Sequence, residues 1–194
     1  MSSPRPEDGA GSTISAIEPD YITGEVSALI GCTGPAVEAP DPLDRSTIRR
    51  FAQAIMDDDP LYWDEEYATA SRFGRIMAPP LLPLHAIRRP GGTPDPLDRA
   101  AEDPNYDGAG DVLVRLGLPP IPVPQTRLLN GGNDVLVSSL AGVGDIIVAR
   151  STIDDIYQKN GRTGTLIFAD VRTTYWVKQT KVALLHSRQV FIWR

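Results

Sequence analysis

Apolar positions follow a helical period in the first half of the chain and a two-residue period in its last third. Ile48, Phe51, Ala52 and Ile55 recur at i, i+3, i+4 and i+7, the stripe of a helix with one buried face. Asp44, Ser46 and Thr47 stand just upstream and supply side-chain oxygens suited to the free N–H groups of a first helical turn. A second short helix is expected over Glu65 to Phe73, with Tyr67, Ala70 and Phe73 turned inward. The mostly apolar run Leu81-Leu82-Pro83-Leu84-His85-Ala86-Ile87 reads as the start of a central helix.

Later in the chain the pattern is that of strands. Asp134 to Ser138, Ile146 to Tyr157, Gly164 to Val177 and Val182 to Trp193 carry alternating or continuous β-branched and aromatic residues. Gly131-Gly132, Gly142 to Gly144, Asn160-Gly161 and Lys178-Gln179 separate them as turn signals, which predicts a long antiparallel meander. Helices followed by such a sheet predict an α+β fold, a sheet with a helix in its concave face. The chain stops within the last strand, at Val190 to Arg194, so a partner's sheet edge or a further extension is expected to complete the structure.

The remaining segments read as connections. Residues 1–20 have too little apolar content to pack and form a disordered-type tail, which leaves 21–194 as the folded domain. Ile22 to Gly34 is a first strand or a loop entering the core, and Pro35 to Pro42 leads to the first helix. The stretch of about 89–124 is rich in proline, glycine and aspartate. A connection this long in a compact domain is functional or unstructured, so it is either a lid over a ligand or a solvated excursion.

Composition narrows the function. A chain of 194 residues suits one domain with a substantial core. Its net charge of −6 and pI near 4.9 exclude wholesale binding of nucleic acid through a basic surface. Cys32 stands alone, which excludes an internal disulfide framework and suits a reducing cytoplasm. No apolar run approaches the ~20 residues that cross a bilayer. Neither histidine, His85 nor His186, has a partner at metal-ligand spacing, so no metal site and no cofactor is expected. The Gly131-Gly132 pair lacks the spacing of a phosphate loop and precedes a strand.

The chemistry concentrates between Ile48 and Pro80. Asp57, Asp58 and Asp59 follow the first helix, where the macrodipole is negative and each carboxylate costs about 0.3–1 kcal/mol. A solvated acidic helix end is the plain explanation. The order Asp57, Asp59-Pro60-Leu61, Tyr62 and Asp64 resembles a degenerate G-D-x-N-P-x-H motif, that of the MaoC-like, R-specific enoyl-CoA hydratases and dehydratases. The match is to their accessory N-terminal half, also described as fatty-acid-synthase-like dehydratase domains. Phe73 to Pro80, Leu128 to Gly132, Val143-Gly144-Asp145 and Asp154 to Gly164 extend the resemblance over most of the chain.

The resemblance implies a hot-dog fold, an antiparallel sheet wrapped around a central helix. It also implies an acyl-CoA or acyl-carrier thioester as substrate and a second hot-dog subunit, or a second copy, as partner. In the family an aspartate and a histidine work on one water as general base and acid. The aspartate falls on Asp57, but the histidine position holds Tyr62, a phenol with a reference pKa of about 10 and a poor proton shuttle at neutral pH. The family's asparagine falls on Asp59. A glycine whose N–H holds the thioester oxyanion falls on Pro79, which has no N–H. Candidate catalytic residues are therefore Asp57, Tyr62 and, as a histidine brought in by folding, His85. Candidate substrate-binding residues are Asp59, Arg72, Ala78, Pro79 and Asn130, although Asn130 also suits a turn. Arg49, Arg50, Arg72, Arg75, Arg88 and Arg89 gather around the motif and suit phosphates of coenzyme A or a pantetheine arm. Three readings follow: an accessory hydratase subunit, a self-sufficient hydratase with an altered dyad, and a non-catalytic acyl-thioester binding module. A thioesterase is a fourth, since fold does not fix function.

Overall fold

Side-chain capping sets the helix starts in this computed structural model, which describes residues 19–87, 98, 101–103, 112–125, 127–161 and 164–194. The expected tail up to residue 18, most of the proline-rich stretch, Arg88 and Arg89 lie outside the described residues. Thr23 caps a single turn, α1 (Gly24–Ser27), where a strand or loop was expected. Asp44 caps α2 (Arg45–Ala54): one oxygen accepts from the Thr47 N–H at 2.9 Å and the other from its hydroxyl at 2.9 Å. These bonds hold the Asp44 carboxyl below its usual range. Ile48 and Ala52 are buried and Phe51 packs beside them, but Ile55 is left exposed at the helix end.

Asp64 caps α3 (Glu65–Ala70), which stops at Ser71, short of the expected Phe73. Its buried residue is Ala68; Tyr67 and Ala70 face solvent, contrary to the expectation that they point inward. The run after Pro80 is a 3-10 turn, Leu82–His85, rather than the opening of a regular α-helix. Pro83 explains it, since proline has no N–H to give to the Pro79 carbonyl and its ring clashes there. The turn closes instead through i to i+3 bonds, Leu82 to Pro79, Leu84 to Leu81 and Ala86 to Pro83. A further single turn, α4 (Val112–Arg115), buries Leu113.

Five strands form one antiparallel sheet: β1 (Val37–Glu38), β2 (Leu128–Val137), β3 (Ile147–Gly161), β4 (Gly164–Val177) and β5 (Ala183–Trp193), in the order β1-β3-β4-β5-β2. β2 starts at Leu128 and runs through Gly131-Gly132, which is a bulge opposite Val190 and not a turn. A Cβ on Gly131 would sit 2.9 Å from the Val190 side chain and 3.0 Å from that of Ile192, so any other residue there has to displace them.

The inner face of the sheet carries two apolar clusters. One joins Ile147, Ala149, Tyr175, Val177 and Leu185 to Ile48, Ala52, Tyr62 and Leu82. The other joins Ile153, Ile167, Val171 and Phe191 to Val26 and Leu113. Between them the register sets Ser151, Thr173 and Ser187 side by side across three strands, all buried. Ser151 Oγ and Thr173 Oγ1 pair with each other at 2.8 Å.

One polar contact ties helical and sheet regions together. Arg75 donates to both oxygens of the buried Asp145, at 3.0 and 2.8 Å, and to the Val143 carbonyl at 2.9 Å. Asp145 also accepts from the Gly142 N–H at 2.8 Å. A Cβ at residue 142 would lie 2.8 Å from Arg75 Nε, so Gly142 lets the guanidinium reach its partner. Asp145→Ala leaves that guanidinium and the Gly142 N–H without their acceptor, and is expected to lower stability by about 2–3 kcal/mol in urea unfolding.

Candidate functional site

The motif region is positioned by how α2 ends. Ile55 is the C-cap, the Met56 N–H bonds to Gln53 O at 3.2 Å and the Asp57 N–H to Ala52 O at 2.9 Å. This is a Schellman motif, whose C′ residue is usually glycine because it takes a left-handed conformation. Here it is Met56, with φ of 56° and a side chain 90% exposed. The reversal lifts Asp57 off the helix, so the acidic run does not continue along its C-terminal dipole.

Asp57 then accepts the Asp59 N–H at 3.2 Å, and Asp59 accepts the Leu61 N–H at 2.9 Å as the cap of a 3-10 turn over Pro60–Tyr62. Asparagine and aspartate serve that cap equally well, which accounts for an aspartate at the motif's asparagine position. Tyr62 is buried between these carboxylates. Burial first, then the charges of Asp57 and Asp59, raise its phenol above the usual value of 10. At neutral pH it is a hydrogen-bond donor and not a base.

The neighbouring turn is closed to an oxyanion. The Met77 N–H is taken by Leu61 O at 3.2 Å and the Ala78 N–H by Ala141 O at 2.8 Å. Pro79 and Pro80 have no N–H. Ala78 and Pro79 are themselves buried.

Two adjoining cavities open beside this cluster. One, of about 400 Å³, is lined by Ala52, Met56, Asp57, Asp58, Trp63 and Arg49. The other, of about 340 Å³, is lined by Arg45, Ser46, Arg49, Tyr62, Trp63 and Ile76. Arg45 and Trp63 were not among the expected site residues. The signal available in the sequence was the i, i+4 spacing of Arg45 and Arg49 on one helix face.

The other expected residues stand apart from this cluster. His85 packs against the Phe51 ring at 5.3 Å and lines a third cavity with Asp41, Asp44 and Thr47, which Asp57 does not line. His186 meets the Thr174 hydroxyl at 3.1 Å. Asn130 turns its oxygen to the Gly132 N–H at 2.9 Å, at the exposed bulge. Arg72 lies over the Phe73 ring at 4.7 Å. No group of three or more metal-ligating side chains occurs among the described residues. None of their helices is long and apolar enough to cross a membrane.

The family model described as FAS1-like, dehydratase domain region, matches residues 29–185. The chain belongs to that family. A curated relative, a UPF0336 protein of Thermobifida fusca (strain YX), is 27% identical over 143 residues, 73% of this chain and 80% of that protein. Among solved structures, the ChsH1-ChsH2 complex from Mycobacterium tuberculosis is similar with a TM-score of 0.59, at 17% identity over 86% of this chain and 85% of that one. The R-hydratase PhaJ1 from Pseudomonas aeruginosa gives 0.55, at 13% identity over 84% and 81%. These likenesses establish the hot-dog fold.

A left-handed methionine costs roughly 1–2 kcal/mol relative to glycine. Met56→Gly is therefore expected to raise stability by about 1 kcal/mol, read as a higher urea midpoint with an unchanged slope. A lower midpoint contradicts this account of the helix end.

Proposed function

We propose that this chain is the accessory half of an enoyl-thioester hydratase or dehydratase, working in the cytoplasm beside a partner hot-dog chain that supplies the Asp/His pair. In hydration one O–H bond of water breaks, its oxygen bonds to the β-carbon and a proton reaches the α-carbon. That requires a base for the water, an acid for the α-carbon and donors for the thioester oxygen. The observation that carries the reading is the turn at Met77 to Pro80, in which no backbone N–H is left to hold an oxyanion. Tyr62 adds to it, because a phenol raised above its usual pKa does not shuttle protons at neutral pH.

The surface favours a partner. β2 is an edge strand of ten residues, and Leu129, Leu136 and Val137 on it are exposed. An uncovered edge of that length is a template for another sheet. A second hot-dog chain, or a second copy, paired there would continue the sheet.

The test is hydration of an enoyl-CoA by the chain alone and by its complex with the hot-dog subunit that co-purifies with it. Only the complex is expected to turn over. Asp57→Asn in this chain should change the rate of the complex by less than about threefold, whereas losing one general acid or base typically costs 10²–10⁴-fold. Full activity of the isolated chain, abolished by Asp57→Asn, would establish a self-sufficient enzyme instead.

A further inference from the structure

Arg49 and Trp63 line both cavities beside the motif, yet the two cavities differ in chemistry. The one reached by Ala52, Met56 and the Trp63 ring is largely apolar, with Asp57 and Asp58 on its wall. In the other, the charged side chains are Arg45 and Arg49, joined by the Ser46 hydroxyl and the Tyr62 phenol, while the Trp63 indole N–H is already given to the Asp58 carbonyl at 3.3 Å. No carboxylate lines it.

We infer that this second cavity is an anion site, holding a phosphate group of the carrier to which a thioester is attached. The inference rests on the thioester reading above and adds to it where the carrier is gripped. Arg45 and Arg49 are four residues apart on α2 and so present their guanidinium groups along one face. A guanidinium fork matches two phosphate oxygens. Arg45 spends one nitrogen on Glu65, at 2.6 Å, which anchors it and leaves further N–H donors. Arg49 makes no ion pair or hydrogen bond among the described residues, so its donors are free. The N-terminus of α2 is not the source of the attraction, because Asp44 already takes the Thr47 N–H. The Glu65 carboxylate bonded to Arg45 offsets part of its charge but does not line the cavity, and Asp57 and Asp59, each with an oxygen committed to a backbone N–H, do not line it either.

Contiguity fixes the rest of the ligand. A molecule held by phosphate between Arg45 and Arg49 passes Trp63 and enters the apolar cavity with its other end. Coenzyme A and a carrier protein's phosphopantetheine arm share this phosphate-to-thiol chemistry, and they differ in the additional phosphates of coenzyme A.

Calorimetry on the full chain with coenzyme A, 4′-phosphopantetheine and phosphate-free pantetheine separates the possibilities. Both phosphorylated probes are expected to bind at least tenfold more tightly than pantetheine. Arg49→Ala should remove that tenfold advantage, Arg49→Lys part of it, and Arg50→Ala none. Tighter binding of coenzyme A than of phosphopantetheine identifies the free coenzyme as the source, and equal binding identifies the arm. Equal affinity for pantetheine, no binding of any probe, or indifference to Arg49→Ala overturns the site. The probes carry no enoyl group, so absence of hydratase turnover in the complex refutes the enzyme reading and leaves these affinities to judge the site separately.

Discussion

Arg75 and Asp145 are 70 positions apart, and their contact decides how the two halves of the fold meet. Asp145 sits where the chain enters β3 and accepts from two nitrogens, one Arg75 Nη shared between both its oxygens and the Gly142 N–H. Behind this clamp, backbone bonds run from the Ala78 N–H to Ala141 and from the Val143 N–H to Ile76. The motif turn is thereby fastened to the loop before β3, and a buried carboxylate so bonded is costly to strand. The same fastening commits the Ala78 N–H to the fold, as the Leu61 carbonyl does the Met77 N–H.

The end of α2 makes a complementary trade. A left-handed Met56 is a local cost, offset by a Schellman closure that carries Asp57 out of the helix and turns Tyr62 into the core. Asp57 and Asp59 then serve as acceptors for backbone N–H groups, which is structural work that needs no proton transfer. What remains accessible beside them is a pair of cavities that share Arg49 and Trp63, one largely apolar and one lined by Arg45 and Arg49.

Much of this was legible in the chain. The Asp44 cap and the Ile48, Phe51, Ala52 stripe located α2, and β-branched alternation located β3, β4 and β5 within a few residues. The order from Asp57 to Tyr62 pointed to the family, and the local hydrogen bonds that bring those side chains together are short in sequence. Long-range features were not legible. Gly131-Gly132 carries the same signal whether it breaks a strand or bulges within one, and only Val190 and Ile192 across the ladder decide between them. Tyr67 and Ala68 are adjacent, so the short helix gave no period long enough to tell which one faces inward. The Arg75 to Asp145 contact and the joined cavities depend on tertiary placement alone.

The central claim is that the turn after Ile76 has no N–H to spare. Hydrogen–deuterium exchange of the Met77 and Ala78 amides tests it most directly. Both are expected to exchange only as slowly as the whole domain unfolds, because each is bonded to a buried backbone carbonyl. Exchange of Ala78 near the rate of an unprotected amide would contradict the account and return this turn to the list of possible oxyanion donors.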